Sequence, residues 1–429
     1  MAQRAIKEFD CKTLFKTHWE HYFSGFTYDF KSVLVQSKKS LEKQSKSAAW
    51  LKKSPLVVKP DMLFGKRGKN KLVLIKKEKP GDITLTDAAD WVNEKSEKTH
   101  TLLDGTTGKL NSFIIEPFLN HENAEEFYIS LTTQGYHDVL NVSKFGGMDI
   151  EDHWDKVVKI NIPVDSQPDD VLKLIQSKLK KEITDPDFVT FTAQLYAFFK
   201  DLHFTYLELN PIVVKDKQIF LLDAVAKLDD TAKYALQSKW GDLSFSSSFG
   251  MKESTPEELF IKELDENSGA SLKLTLLNPQ GRIWTLVAGG GASVVYADTI
   301  ANLANVEELA NYGEYSGNPS QDETYAYTKT VFQLMTKEQH KENKILIIGG
   351  AIANFTDVAK TFKGIIQAIK EFAPQLKKVG THIYVRRGGP NYKIGLKTIK
   401  EAVEALEIPI SVHGPETHMT DIVRLSLEK

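Results

Sequence analysis

One cysteine, Cys11, is the only thiol among 429 residues, so no internal disulfide can form and a reducing compartment is expected. Nothing around Cys11 specifies a base, so it is not expected to act as a nucleophile. No run approaches the ~18 apolar residues that span a bilayer, and no membrane partner is expected. A net charge of −2 makes no basic field, which argues against nucleic acid. The N-terminus, MAQRAIKEFDCK, lacks the apolar core of a signal peptide and carries acids that transit peptides avoid. The cytoplasm is therefore the expected location. Eleven histidines scatter without an H-E-x-x-H pattern or a Cys/His cluster, so zinc is not expected. Neither a P-loop pattern nor G-x-G-x-x-G occurs.

What is present is ordinary in bulk: 41% apolar and 26% charged, with length for two or three domains. Residues 1 to about 112 mix a helical start with two strand-like runs, Leu56–Lys59 and Leu72–Lys76. The lysine-rich segment Gln36–Lys53 reads as a solvated helix or loop. Residues 113–240 read as α+β, with strands Phe113–Ile115 and Phe127–Thr132 and a helix near Phe188–Leu202. Paired strands then run to Asp223. Residues 241–267, with SFSSSFG, a proline and several acids, read as a linker. From Ser268 onward, apolar strands (Ile283–Val287, Ile345–Ile348, Ile383–Val385, Ile408–Val412) alternate with helical stretches, the pattern of a parallel sheet in βα units. The expected division is 1–240, a linker 241–267, and 268–429.

Three of those strands end in glycine-rich turns, which in an open parallel sheet gather on the carboxyl edge, where ligands bind. The most telling is Gly349–Val358 (GGAIANFTDV), between an apolar strand and a helix over Ala359–Glu371. Its helix start is expected to offer free N–H groups to an anion. Asn354 and Thr356 add neutral donors suited to a carboxylate or hydroxyl, so a small oxygen-rich acid is the expected ligand. Gly289-Gly290-Gly291-Ala292-Ser293 is a second such turn, better suited to a phosphoryl group than to a dinucleotide. Asn311–Gly317 reads as a further glycine-bearing loop. Arg386 or Arg387 either pairs with a ligand carboxylate or makes a sheet-edge salt bridge. His418 sits in a polar turn where a capping or core role is the simpler reading.

In the first half, Tyr206–Asp223 reads as a hairpin. A turn at Asp216-Lys217 sets Asn210 opposite Asp223, an amide oxygen and a carboxylate suited to Mg²⁺. Pro211 within the first strand suggests an edge, and a plain surface hairpin is the alternative. Lys59, followed by the basic loop Lys66-Arg67-Gly68-Lys69, is either a phosphate clamp or an exposed basic turn. Ile114-Ile115-Glu116-Pro117-Phe118 alone marks only a strand end.

At these residues the chain resembles ATP-citrate lyase, specifically its N-terminal half or the smaller subunit of two-subunit forms. The strings VVKPD, IEPF, AEEF, FTYLELNP, KWGD, SGASLKLTLLNP, GRIWTLVAGGGASVVYADTI, ELANYGEYSG, KILIIGGAIANFT, VRRGGPNY and ETHMT carry the likeness over nearly the whole length. Lys31–Lys53 departs from the pattern. The resemblance implies an α/β protein: an ATP-grasp domain followed by a flavodoxin-like parallel-sheet acyl-CoA-synthetase domain, in the layout of the succinyl-CoA synthetase β subunit. It also implies that Lys59, Arg67 and Gly68 contact ATP phosphates, that the backbone of Glu116 and Pro117 holds adenine, and that Glu126 holds ribose. Asn210 and Asp223 would hold Mg²⁺. Gly317, Asn354, Thr356 and Arg387 would bind citrate, with Gly290, Gly291, Ala292 and Ser293 facing a phosphoryl group.

The implied reaction converts citrate, ATP and CoA to acetyl-CoA, oxaloacetate, ADP and phosphate through phosphohistidine, citryl-phosphate and citryl-CoA. No catalytic residue is assigned within this chain. A larger partner subunit of a hetero-oligomer is expected to carry the phosphohistidine, CoA-binding and citrate-synthase-like modules. Two other readings stay open: a nucleotide-dependent acyl-CoA synthetase β subunit acting on a smaller acid, and a non-enzymatic metabolite-sensing subunit.

Overall fold

The chain packs into two units, Met1–Lys252 and Glu253–Lys429. The computed structural model describes residues 3–75, 83–147, 150–179, 183, 185–243, 245–251 and 254–428. The first unit begins with β1 (Gln3–Ile6), α1 (Glu8–Tyr22), β2 (Val33–Val35), α2 (Lys38–Ser47), β3 (Leu56–Pro60) and α3 (Leu85–Glu97). It continues with β4 (Thr99–Thr101), β5 (Thr107–Lys109), β6 (Phe113–Pro117), β7 (Glu126–Gln134), β8 (His137–Ser143) and β9 (Val158–Pro163). Then come α4 (Pro168–Leu179), α5 (Pro186–Asp201), β10 (Phe204–Lys215), β11 (Gln218–Leu221), β12 (Ala224–Asp229) and α6 (Gln237–Trp240).

Among the described residues, the main sheet of this unit is antiparallel, ordered β1-β12-β10-β7-β8-β9, with β11 on β10. α5 forms because Pro186 starts it, Asp185 caps the Asp187 and Phe188 N–H groups, and its apolar period never breaks. Phe188, Phe191, Leu195, Phe198 and Phe199 are all buried in the main core with Phe15 and Trp19 of α1. Phe15 and Phe198 pack with ring centroids 4.5 Å apart. A second, three-stranded sheet, β2-β6-β3, is covered by α2 and α3. The lysine-rich segment is thus largely helix α2, anchored by buried Leu41 while its lysines face water.

Two expectations change here. Leu72–Lys76 makes no named strand among the described residues: Leu74 forms only an isolated bridge to Val58, and Lys76 lies outside the described residues. Pro211 does not mark an edge either. It sits at the register shift between Leu209 and Ile212 of β10, a strand paired on both sides, where a missing N–H breaks no ladder.

The second unit contains α7 (Pro256–Asn267), β13 (Ser271–Leu276), β14 (Ile283–Ala288), α8 (Gly290–Leu303), β15 (Asn311–Ser316) and α9 (Gln321–Met335). It ends with β16 (Ile345–Gly350), α10 (Val358–Lys378), β17 (His382–Arg386), α11 (Tyr392–Glu404), β18 (Ile410–His413) and α12 (Asp421–Leu427). Its sheet runs β13-β15-β14-β16-β17-β18. The five strands from β14 onward are parallel in the order 2-1-3-4-5, as in flavodoxin, and β13 joins the edge antiparallel.

The last twelve residues of the expected linker are helix α7. Thr255 starts α7 with a capping box, and Ile261 is buried in the core of this unit. Asn311–Gly317 is not a loop but strand β15 and the residue after it. Its alternate residues Asn311, Gly313 and Tyr315 are buried, and the Asn311 side chain bonds the Thr285 N–H at 2.9 Å and O at 3.0 Å. Short polar strands hide from apolar-run reading.

α9 and α10 pack closely at Gly364, where an added Cβ would lie 2.4 Å from Gln321 O and 2.8 Å from Tyr325 N. Helix propensity alone would make Gly364→Ala stabilising by about 1 kcal/mol. The clash is with backbone, so the helices must separate, and we expect net destabilisation of about 1–3 kcal/mol. Denaturant unfolding of the variant measures the sign.

Candidate functional site

Three cations converge on one buried carboxylate at the start of α1. Lys12 Nζ lies 2.7 Å and Lys59 Nζ 2.6 Å from Glu8 Oε1, and Arg67 Nη2 forms an ion pair with Glu8 Oε2 at 2.6 Å. Lys12 donates onward to both oxygens of Glu116, at 2.7 and 2.8 Å, and Lys59 lies 3.1 Å from Glu116 Oε2. Arg67 also bonds Pro60 O at 3.0 Å and pairs with Asp223. Ions this deep need such reciprocity, because one left unpaired carries its full desolvation cost.

Burial alone would raise the Glu8 carboxyl, but Arg67, Lys12 and Lys59 hold it well below the usual carboxylate range. Burial, then the Glu8 charge, pushes Asp61 up to about 6. Lys59, Arg67, Glu116 and Asp223 are therefore brought into one cluster, with Gly68 exposed in the turn after Arg67.

Next to Glu116 and Pro117 lies a cleft of about 180 Å³, bordered by Tyr28, Ser32, Leu119 and Phe220. The β10–β11 hairpin turns at Asp216 and Lys217, both at positive φ, and its register sets Ile212 opposite Leu221. Asn210 N–H donates to Asp223 O at 3.1 Å, so these two residues face each other across the hairpin, as the strand count predicts. One carboxylate and one amide oxygen form a hard donor pair of the kind Mg²⁺ takes, and the Asp223 side chain remains 36% exposed. Asn210 Oδ1 accepts from Gly147 N–H at 2.7 Å. Glu126, at the start of β7, stands apart from the ion cluster with His121 Nε2 2.8 Å from its Oε1.

In the second unit the strands end on one edge. Gly317 follows β15, Asn354 and Thr356 follow β16, Arg387 follows β17, and α8 starts after β14. Asn354 is exposed and Thr356 half-buried. Ala353 N–H donates to Gly388 O at 2.9 Å, and Val358 N–H to Pro390 O at 3.1 Å, lacing the two central loops together.

The arginines make no sheet-edge salt bridge among the described residues; they bond backbone carbonyls. Arg386 donates to Thr417 O and Gly350 O, each at 2.9 Å, and to Pro415 O at 3.3 Å. Arg387, 1% exposed, donates to Ala351 O at 3.1 Å and keeps its buried Nε without a partner. The hydroxyl of Tyr315, on β15, is likewise buried and unpartnered. His418 is exposed and neither caps α12 nor enters a core; its Nδ1 lies 2.7 Å from the Thr420 hydroxyl.

Two expected helix starts need correction. Gly349 and Gly350 belong to β16, and the loop 351–357 separates them from α10. The start of α10 already holds a carboxylate, since Asp357 accepts from Lys360 N–H at 2.9 Å and from Asn391 at 2.8 Å. The glycine pair instead admits neighbours: a Cβ on Gly349 would meet the Tyr296 ring at 2.6 Å, and one on Gly350 would meet Arg387 Nη1 at 2.2 Å. At α8, Ser293 N–H bonds Gly289 O, and its hydroxyl bonds Gly289 O and Gly313 O. The N–H groups ahead of the first helical bond are those of Gly290, Gly291 and Ala292.

Sequence reasoning missed Glu8, Lys12 and Gly147. Glu8 and Lys12 form an i,i+4 pair, which on most helices is a surface feature. Their signal is phase: they continue the buried stripe of Cys11, Phe15 and Trp19. The pair Gly146-Gly147 just after β8 was a turn signal of the same kind as the others.

Residues 2–240 match the family model of the ATP-citrate synthase ATP-grasp domain, and residues 252–429 match that of ATP citrate lyase citrate-binding. An Arabidopsis thaliana protein, ATP-citrate synthase alpha chain protein 2, is 42% identical over 433 residues, covering 100% of this chain and 99% of that one. The chain belongs to the ATP-citrate synthase family. The solved structure of ATP citrate lyase from Methanothrix soehngenii, in complex with citrate and coenzyme A, matches with a TM-score of 0.87 at 45% identity and covers 100% of both chains. Human ATP-citrate synthase is 49% identical over 383 residues, 88% of this chain but only 34% of the human protein. The chain thus spans about a third of the length of that relative. Its fold is that of the family: an ATP-grasp unit followed by a parallel-sheet unit.

Proposed function

We propose that this chain is the ATP- and citrate-binding part of an ATP-citrate synthase, acting in the cytoplasm with a larger polypeptide. The observation that carries the reading is Arg387: a fully buried guanidinium at the carboxyl edge, with an unpartnered Nε beside the exposed Asn354 loop. A buried cation without a counter-carboxylate is matched to an anionic ligand. Gly317, Asn354 and Thr356 supply neutral donors around it. In the first unit, Lys59 and Arg67 would hold the ATP phosphates, with Glu116 and Pro117 at the adenine and Glu126 at the ribose.

Asn210 and Asp223 would hold Mg²⁺, which when bound offsets phosphate charge during transfer. The residues of this chain then bind and orient: the ion cluster fixes the nucleotide, and the carboxyl edge fixes citrate. A carboxylate is a poor acyl donor until one oxygen leaves as phosphate. ATP therefore phosphorylates citrate by way of a histidine on the partner, and the CoA thiol displaces phosphate to form citryl-CoA. The partner's cleavage module then releases acetyl-CoA and oxaloacetate. The human relative, of which this chain matches 34%, supports a larger partner polypeptide.

Calorimetry on the purified chain tests the citrate site. Citrate is expected to bind and succinate to bind at least about tenfold more weakly, because unmatched buried donors impose a cost. Arg387→Ala is expected to remove citrate binding by a similar or larger factor. Equal affinity for the two acids, or an unaffected variant, sinks the assignment.

A further inference from the structure

Glu8 stands where the apolar stripe of α1 calls for a hydrophobic residue, and its side chain is 2% exposed. It gathers cations from three places in the chain: Lys12 on its own helix, Lys59 on β3 and Arg67 in the following turn. Lys59 and Arg67 are the two groups assigned above to the nucleotide phosphates. Lys12, fully buried, ties Glu8 to Glu116 beside the 180 Å³ cleft. A lysine carries four rotatable bonds, and holding its ammonium in one place before a ligand arrives removes an ordering cost from binding. Arg67 Nη2 lies 2.6 Å from the Glu8 oxygen that does not take Lys59, so the two cations are paired with different oxygens of one carboxylate.

We propose that Glu8 is a positioning residue of the nucleotide site: it fixes the Lys59 ammonium and the Arg67 guanidinium for the phosphates. This rests on the nucleotide reading above. The sign of one substitution separates positioning from simple charge. Glu8→Gln removes a negative charge next to the site of a polyanion, so Coulomb attraction alone predicts tighter ATP binding. Positioning predicts the reverse.

The test is equilibrium binding of Mg·ATP and of adenosine to the full chain, its Glu8→Gln variant and its Glu8→Asp variant. Glu8→Gln is expected to weaken ATP about 10- to 100-fold, the range for groups that orient primary ligands. Adenosine, which has no phosphate, is expected to bind as in wild type; a merely structural role would lower both. Glu8→Asp keeps the charge and shortens the reach, and is expected to show the same ATP-selective loss in smaller measure. ATP binding equal to or tighter than wild type in Glu8→Gln, or parallel loss of ATP and adenosine in both variants, overturns the proposal. A wild-type chain that binds neither ligand removes the nucleotide reading itself.

Discussion

Asp223→Ala is expected to weaken Mg²⁺-dependent ATP binding by about 100-fold or more, through loss of a charged partner at a half-buried site. Asp223 supplies the carboxylate of the proposed Mg²⁺ pair, and Asn210 opposite it contributes only a neutral amide oxygen. The fold is expected to survive, because Arg67 keeps Glu8 at 2.6 Å and Pro60 O at 3.0 Å. ATP offered without Mg²⁺ provides the internal control. Losing the acid that pairs with Arg67 should leave metal-free binding unchanged or slightly stronger. Titration of ATP with and without Mg²⁺ reads both arms. A variant that binds Mg·ATP like the wild type would show that the hairpin holds no metal.

Given ATP, Mg²⁺, citrate and CoA, the purified chain alone is expected to make no acetyl-CoA above background. Of the groups proposed above, those of the first unit would bind nucleotide and those of the second citrate, and none is a phosphoryl carrier. The N–H groups of Gly290, Gly291 and Ala292 can stabilise an arriving phosphoryl group but cannot deliver one. Adding the larger polypeptide should restore turnover. The assay is acetyl-CoA formation with and without that partner, scored beside citrate binding to confirm an intact second unit. Robust turnover by the chain alone would refute the need for a larger polypeptide and point to one of its own eleven histidines as the phosphoryl carrier.

Strong periodic segments were legible from residues alone. The aromatic run of α5, the β10–β11 hairpin with its Asp216-Lys217 turn, and the apolar strands of the second unit all follow from local pattern. So did the gathering of glycine-rich turns on one sheet edge, since parallel βα units oblige it. Polar strand β15 was not legible, because Asn311 and Gly313 carry no strand signal until Thr285 and Tyr327 pack against them.

The sequence by itself determined the α/β class, the parallel second half, the lack of disulfides and the register that sets Asn210 against Asp223. Each of these depends on interactions a few residues apart, or on composition. Tertiary structure alone decided that Glu8 and Lys12 lie inside rather than in water, since an i,i+4 ion pair looks the same on either face of a helix. It alone decided that Gly349 and Gly350 make room for Tyr296 and Arg387 rather than open a helix to an anion. Burial and close approach depend on partners many tens of residues away, and no local pattern encodes where those partners arrive.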